Sequence, residues 1–252
     1  GLLYRHRGRL ARSPTALTET WLWGGRRFCE LVVGRGLGSC TGVYAYTSAA
    51  LELFRVARGT GRVCMLDHAT APKFFEDRLV QEERQRHEGL FVSPEPDECA
   101  SEYADRQREE WALANTILCG SRFVQGAIRS EGGPIEKTTV VPLGIHSSFQ
   151  SPPPKGTSDG FLKVLFVGDD GLRKGLGDLA RAIELLGAKR SLEVRAIGGF
   201  QLTQEGRSRF EKVMSLVGHL PRSAMVAQYH WADVLVIPSV SYTFGLVVLE
   251  AM

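Results

Sequence analysis

A chain of 252 residues, 43% of them hydrophobic, is long enough to bury one large core or two modest ones. Its formal net charge of only +3 gives no general attraction to nucleic acid. Five cysteines, odd in number and without a C-x-x-C pair, leave neither a disulfide framework nor a cysteine zinc site. Cys64 and Cys119 lie inside apolar runs and read as small buried hydrophobes of a reducing compartment. No apolar stretch approaches the roughly 20 residues that a membrane-spanning helix needs, and the opening shows no signal-peptide core. The expectation is a soluble, cytoplasmic protein.

Residues 1–40 carry no assignable pattern but a local excess of charge, seven arginines (5, 7, 9, 12, 26, 27 and 35) against Glu19 and Glu30. Such a run is usually a solvated face, and peripheral contact with an anionic membrane surface through this segment is the alternative. From Gly42 the chain alternates strand and helix signals, the pattern of a parallel sheet covered on both faces. Gly42–Tyr46 reads as a strand and Ser48–Arg58 as a helix stopped by Gly59. Arg62–Leu66 is the next strand, followed by a charged helix from Phe74 to about Gly89 and a break at Ser93–Asp97 (SPEPD). A helix over Glu102–Leu113, a strand at Thr116–Cys119, a helix capped by Ser121 and a strand at Thr138–Val141 complete a first domain of residues 1–148.

Ser147–Gly160 (SSFQSPPPKGTSDG) has the proline, glycine and serine content of a linker, so residues 149–160 separate the first domain from a second over 161–252. In the second, strands near Phe161, Leu192, Val213 and Val234 alternate with helices, one of them near Pro221–Trp231.

Two junctions carry the chemistry. Phe161–Val167 (FLKVLFV) is a buried strand that runs into Gly168–Gly175 (GDDGLRKG) and then a helical pattern through Leu186. Asp233–Pro238 (DVLVIP) is an apolar run of the kind buried on both faces of a parallel sheet. It leads into a polar turn and a helix over Phe244–Met252, which Thr243 is placed to cap. The first four amides of a helix lack internal partners, and the helix dipole favours an anion there by about 0.3–1 kcal/mol. Gly245 keeps no side chain in the way of a ligand, and Glu250, about two turns in, is placed to accept bonds from a diol.

The closing stretch, PSVSYTFGLVVLEAM over 238–252, resembles the donor-site motif P-S-x-x-E-G-F-G-L-x-x-L-E-A-M of glycosyltransferase family 4, retaining enzymes of the GT-B fold. The earlier junction resembles that family's strand, glycine and Arg-Lys-Gly element. Residues 114–123 (ANTILCGSRF) and 140–145 (VVPLGI) are similar to its first-domain end.

The resemblance implies an α/β protein of two Rossmann-like domains. It implies transfer of a sugar from a nucleotide-diphosphate donor to the hydroxyl of a glycan, lipid or small-molecule acceptor, with retention of configuration. On the matching positions, Lys174 and Arg173 would hold the diphosphate, with Gly168, Thr243, Phe244, Gly245 and Leu246 lining the donor and Glu250 orienting the ribose. No metal and no cofactor is expected besides the donor itself. The departing phosphate would help to deprotonate the acceptor.

Two departures from the motif are visible: Tyr242 stands where the family has its first glutamate, and Asp169 where a cationic or small residue is common. They motivate a rival reading, a catalytically silent nucleotide-sugar binder. A sugar-nucleotide epimerase of the same architecture is the second rival. His68, at the end of a first-domain strand, is a candidate to face the cleft and take a reaction role. His87, His219 and His230 sit in no motif and read as structural. Relative to the family the chain reads as a fragment short at both ends and inactive alone, with both domains incomplete.

Overall fold

The computed structural model describes residues 13–146, 149, 160–187 and 191–252. The chain divides into two compact units, and neither is continuous in sequence. The first takes the chain to Asp77, then Ser93–Pro142 and Tyr242–Phe244; the second takes Arg78–Val92, Leu143–Ser241 and Gly245–Met252. The linker expected at 149–160 falls almost wholly outside the described residues.

The first unit opens with helix α1 (Pro14–Gly34), a segment whose composition gave no readable pattern. Ser13 caps it by accepting from the amide of Ala16, and Pro14 occupies a first-turn position where its missing N–H costs nothing. Only Thr18, Leu22, Gly25 and Cys29 along it are buried, a stripe too narrow to stand out among the tryptophans and arginines on its outer side. A four-stranded parallel sheet follows in the order β1 (Gly42–Tyr46), β2 (Val63–His68), β3 (Thr116–Cys119), β4 (Thr138–Val140). Helices α2 (Leu51–Gly59), α3 (Lys73–Arg86), α4 (Ala100–Leu113) and α5 (Arg122–Ser130) connect these strands.

Alternation in β2 sends Cys64, Leu66 and His68 inward, where Leu66 and Cys64 meet Phe54, Ile117 and Trp111. Phe54 is fully buried, and such a side chain contributes about 1.5–3 kcal/mol. Ser121 caps α5 as its spacing implied, accepting from Val124.

Helix α2 begins at Leu51, three residues later than the pattern suggested. Ser48 holds a left-handed φ of 68°, and the turn there is tied down by a buried carboxylate, Glu110. That carboxylate accepts from the amides of Ser48 at 2.8 Å, Ala50 at 3.1 Å and Leu51 at 3.2 Å, so a side chain from α4 supplies the cap that α2 lacks. Arg106 lies 3.4 Å from Glu110 and makes a two-pronged pair with Glu52.

The second unit carries a four-stranded parallel sheet in the order β7 (Ser215–Gly218), β6 (Leu192–Ile197), β5 (Leu162–Val167), β8 (Val234–Leu235). Its helices are α6 (Leu176–Leu186), α7 (Gln204–Phe210), α8 (Arg222–Trp231) and α9 (Leu246–Ala251). Phe166, Leu176 and Phe210 are fully buried on one side of this sheet, and Leu165 packs with Ile197 and Tyr229 on the other.

The strand expected over Asp233–Pro238 is shorter than its apolar run. Only Val234 and Leu235 pair, and Val234 is 41% exposed, because among the described residues no strand lies beyond β8. β7 starts at Ser215 rather than Val213, which belongs to the turn after α7. The segment Arg78–Val92 also packs here: Phe91 bridges Leu202, and the amide of Val92 donates to Gln201 at 2.9 Å.

Candidate functional site

Strands β5, β6 and β7 step outward in one direction, and β8 then returns to the other side of β5. The crevice at the carboxyl ends of β5 and β8 is therefore the topological switch point, where open parallel sheets leave room for a ligand. Both junctions singled out in the sequence open from these two strands.

The loop after β5 is a compact turn. Lys174 donates its amide to Asp170 at 3.0 Å, Gly175 to Leu172 at 3.1 Å and Leu176 to Gly171 at 2.8 Å, with Asp170 at φ 60° and Gly175 at φ 78°. Gly168 lets the stem of Lys174 lie across it: a Cβ there would sit 3.0 Å from Lys174 Cγ. Arg173 is held by Asp170 at 3.2 Å. Gly175 is required twice over, by its left-handed backbone and because a Cβ would drive into the carbonyl of Pro238. The amide of Val240 completes the contact, donating to the carbonyl of Arg173 at 3.1 Å. The two loops thus adjoin.

Asp169, the first departure from the motif, accepts from the amide of Gly199 at 2.9 Å and lies 3.3 Å from His219. It ties the β5 loop to the β6 loop instead of presenting a cation. Ser239, at the head of the β8 loop, has a buried hydroxyl with no hydrogen-bond partner, a feature that calls for an explanation in a folded protein.

The end of the chain differs from expectation in two ways. Thr243 does not cap the last helix: α9 starts at Leu246, and its capping position is Gly245, left-handed at φ 89°. The reason is local, since the left-handed glycine breaks the helical path before Phe244 can join it. Thr243 and Phe244 group with the first unit, where Ser121 Oγ donates to the Thr243 carbonyl at 2.5 Å. Glu250 is already engaged, accepting from the hydroxyl of Tyr229 at 2.7 Å with Arg222 at 3.7 Å. Neither α8 residue belonged to a sequence motif; the helical spacing around Tyr229 was the only available signal.

His68 lies inside the first unit. It is fully buried, Nδ1 lies 2.8 Å from the Thr70 carbonyl, and its ring tilts against Trp111 at 5.6 Å. Burial pushes its pKa down to about 4, so the imidazole is neutral. The inward phase of β2 explains the placement: His68 is two residues on from Leu66 and shares its face.

The first unit holds a cavity of about 300 Å³ that no motif announced, lined by Thr18, Trp21, Lys73, Asp97, Tyr103 and Gln107 among others. Lys73 is held there by Asp77 at 2.7 Å and Asp97 at 3.2 Å. Of the arginines in the basic run at the start of the chain, residues 5, 7, 9 and 12 lie outside the described residues. Arg26 pairs with Glu102 and Arg27 with Glu30. Among the described residues no helix is long and apolar enough to cross a membrane.

Residues 162–252 match the family described as glycosyl transferases group 1. No curated protein sequence matches the chain. Solved structures do. The Anabaena protein Alr3699/HepE in complex with UDP shares 15% identity over 82% of this chain and 56% of its own, with a TM-score of 0.56. The lipopolysaccharide outer core galactosyltransferase WaaB shares 15% over 93% of this chain and 58% of its own, with a TM-score of 0.52. The pneumococcal O-GlcNAc transferase GtfA, in complex with UDP and GlcNAc, shares 14% over 86% of this chain and 41% of its own, at 0.51. The chain therefore spans between 41% and 58% of the length of these three structures. At these identities the likeness establishes the fold, two Rossmann-like α/β units of the GT-B type.

Proposed function

We propose that the chain is the nucleotide-sugar-binding part of a glycosyltransferase that moves a sugar from a nucleotide-diphosphate donor to an acceptor hydroxyl with retention of configuration. The observation that carries this reading is the hydrogen bond between Val240 and Arg173, which joins the two motif-bearing loops at the switch point of the second sheet. UDP in the HepE and GtfA structures makes uridine diphosphate sugars the first donors to test.

Charge builds on the diphosphate as the sugar departs, and preorganised donors stabilise it most in that state. Lys174 and Arg173 supply cations, and the amides at Gly245 and Leu246, with Phe244 and Thr243 before them, supply neutral donors. A hydrogen bond to a charged group contributes about 1.5–3 kcal/mol, so Lys174 alone is worth about a ten- to hundredfold effect. Glu250 would turn from Tyr229 to the ribose diol, and the buried hydroxyl of Ser239 would find a partner in the donor. His68 takes no part, being buried and neutral.

Two observations favour the silent alternative. Glu250 is occupied by Tyr229, and Tyr242 replaces the motif's first glutamate, so a binder of nucleotide sugars without turnover is the competing reading. Incubation of the full-length protein with radiolabelled UDP-sugars and an acceptor panel separates the two. Transfer or slow hydrolysis that disappears in Lys174→Ala supports the enzyme, whereas tight binding with no turnover supports the binder.

A further inference from the structure

The second unit contains a cluster that the donor site does not use. At the end of α3, Glu83 and His87 stand one helical turn apart, and Asp178 meets them from the first turn of α6. His87 Nε2 lies 3.1 Å from Glu83 Oε1 and 3.1 Å from Asp178 Oδ1. Glu83 and His87 are buried, their side chains 1% and 6% exposed, while that of Asp178 is 26% exposed and leaves a way in.

One imidazole nitrogen cannot serve two acceptors at once, because it carries at most a single proton. It bonds Asp178, and Glu83 Oε1 is left buried without a hydrogen bond. Among the described residues Arg86 pairs with both carboxylates, reaching Glu83 at 2.8 Å and Asp178 at 3.2 Å, but its side chain is 57% exposed and leaves Glu83 Oε1 without a hydrogen bond. Gly177 makes the approach possible, since a Cβ there would strike the His87 ring.

We propose that Glu83, His87 and Asp178 bind a divalent transition-metal ion of the zinc class, with water in the remaining position. One nitrogen and two carboxylate oxygens suit zinc or cobalt better than calcium or magnesium, which take oxygen alone, or copper(I), which takes sulfur. Bonds of about 2.0–2.2 Å in a tetrahedron place ligand atoms about 3.3–3.6 Å apart, near the 3.1 Å of the two histidine contacts, and the two carboxylate oxygens lie within 4.8 Å of each other. The ion satisfies the stranded oxygen of Glu83 and ties the segment ending at Val92 to α6. The rival explanation is a closed network in which Arg86 is the cation that the two carboxylates need.

Cobalt(II) absorption and zinc titration calorimetry of the full chain, after chelator treatment, test the site. The wild type is expected to give a nitrogen- and oxygen-ligated cobalt spectrum displaced by zinc, with affinity reduced more than about tenfold in His87→Gln. Asp178→Asn, at the half-open end of the cluster, is expected to do the same and guards against a His87 variant that fails to fold. Arg86→Gln is expected to tighten metal binding, because it removes a competing cation. The proposal is overturned if neither metal binds, if a thiolate spectrum places the ion on cysteine, or if the His87 and Asp178 variants bind as the wild type does.

Discussion

The amide of Val240 donates to the carbonyl of Arg173 across 3.1 Å, so the loop that ends β8 is bonded to the loop that ends β5. The two residues are far apart in sequence and share no periodic signal. What brings them together is the return of β8 to the side of β5 opposite β6. A phosphate gripped by one loop is thereby within the neighbourhood of the other.

Gly175 is the residue on which this closeness rests. Gly175→Ala puts a Cβ into the Pro238 carbonyl and forces a left-handed backbone on alanine, a conformation that costs about 1–2 kcal/mol before any clash. Urea denaturation is expected to show the second unit destabilised by more than that amount, together with weakened UDP binding. An unchanged midpoint would mean that the loops are free to separate.

In the first unit the corresponding keystone is Glu110. Removing one partner of a buried charged pair typically costs about 3–5 kcal/mol, and here three amides at the start of α2 also lose their acceptor. Glu110→Ala is expected to lower the thermal midpoint sharply, and Thr47→Ala, which touches only the edge of this network at 3.3 Å, to lower it little.

Stability should also respond to acid in two stages. His68 has its pKa lowered by burial from 6.5 to about 4, so its contribution is complete above pH 6.5 and declines as pH falls towards 4, where the unfolded chain binds the extra proton. Glu52, held at about 2 by the Arg106 guanidinium against an ordinary 4.5, contributes fully above pH 4.5 and loses that contribution as pH falls towards 2. Urea midpoints between pH 6.5 and 4.5 are therefore expected to fall in the wild type and to fall less in His68→Gln. Parallel curves for the two proteins would contradict the placement of His68.

Sequence patterning revealed the strands and most helices, because each buries one face of a continuous apolar run, as Cys64, Leu66 and Phe166 do. The two glycine-bearing loops were legible as junctions at the ends of β5 and β8, since glycine and a polar turn after an apolar run mark the end of a strand. Helix α1 was not, because its buried stripe of Thr18, Leu22, Gly25 and Cys29 is mostly small or polar. The cap supplied by Glu110 and the engagement of Glu250 by Tyr229 were equally hidden. Both are contacts between distant helices that leave no mark on local spacing. Thr243 was misjudged as a cap because a left-handed Gly245 competes for the same role, and which of them wins depends on backbone geometry.

The link between Tyr229 and Glu250 gives its own prediction. Were Glu250 to turn to a ribose, Tyr229→Phe would free it and leave UDP affinity equal or improved, while Glu250→Gln would weaken binding. Calorimetry on both variants decides this. A loss of affinity in Tyr229→Phe would show that the existing hydrogen bond holds Glu250 in its working position instead.

The central claim, a diphosphate held by Lys174 at the joined loops, is tested most directly by titrating uridine and UDP into the wild type and Lys174→Ala by calorimetry. UDP is expected to bind the wild type much more tightly than uridine, and Lys174→Ala to lose about ten- to hundredfold in UDP affinity while uridine binding stays unchanged. Equal affinity of the wild type for uridine and UDP, or an undiminished UDP affinity in the variant, would contradict it.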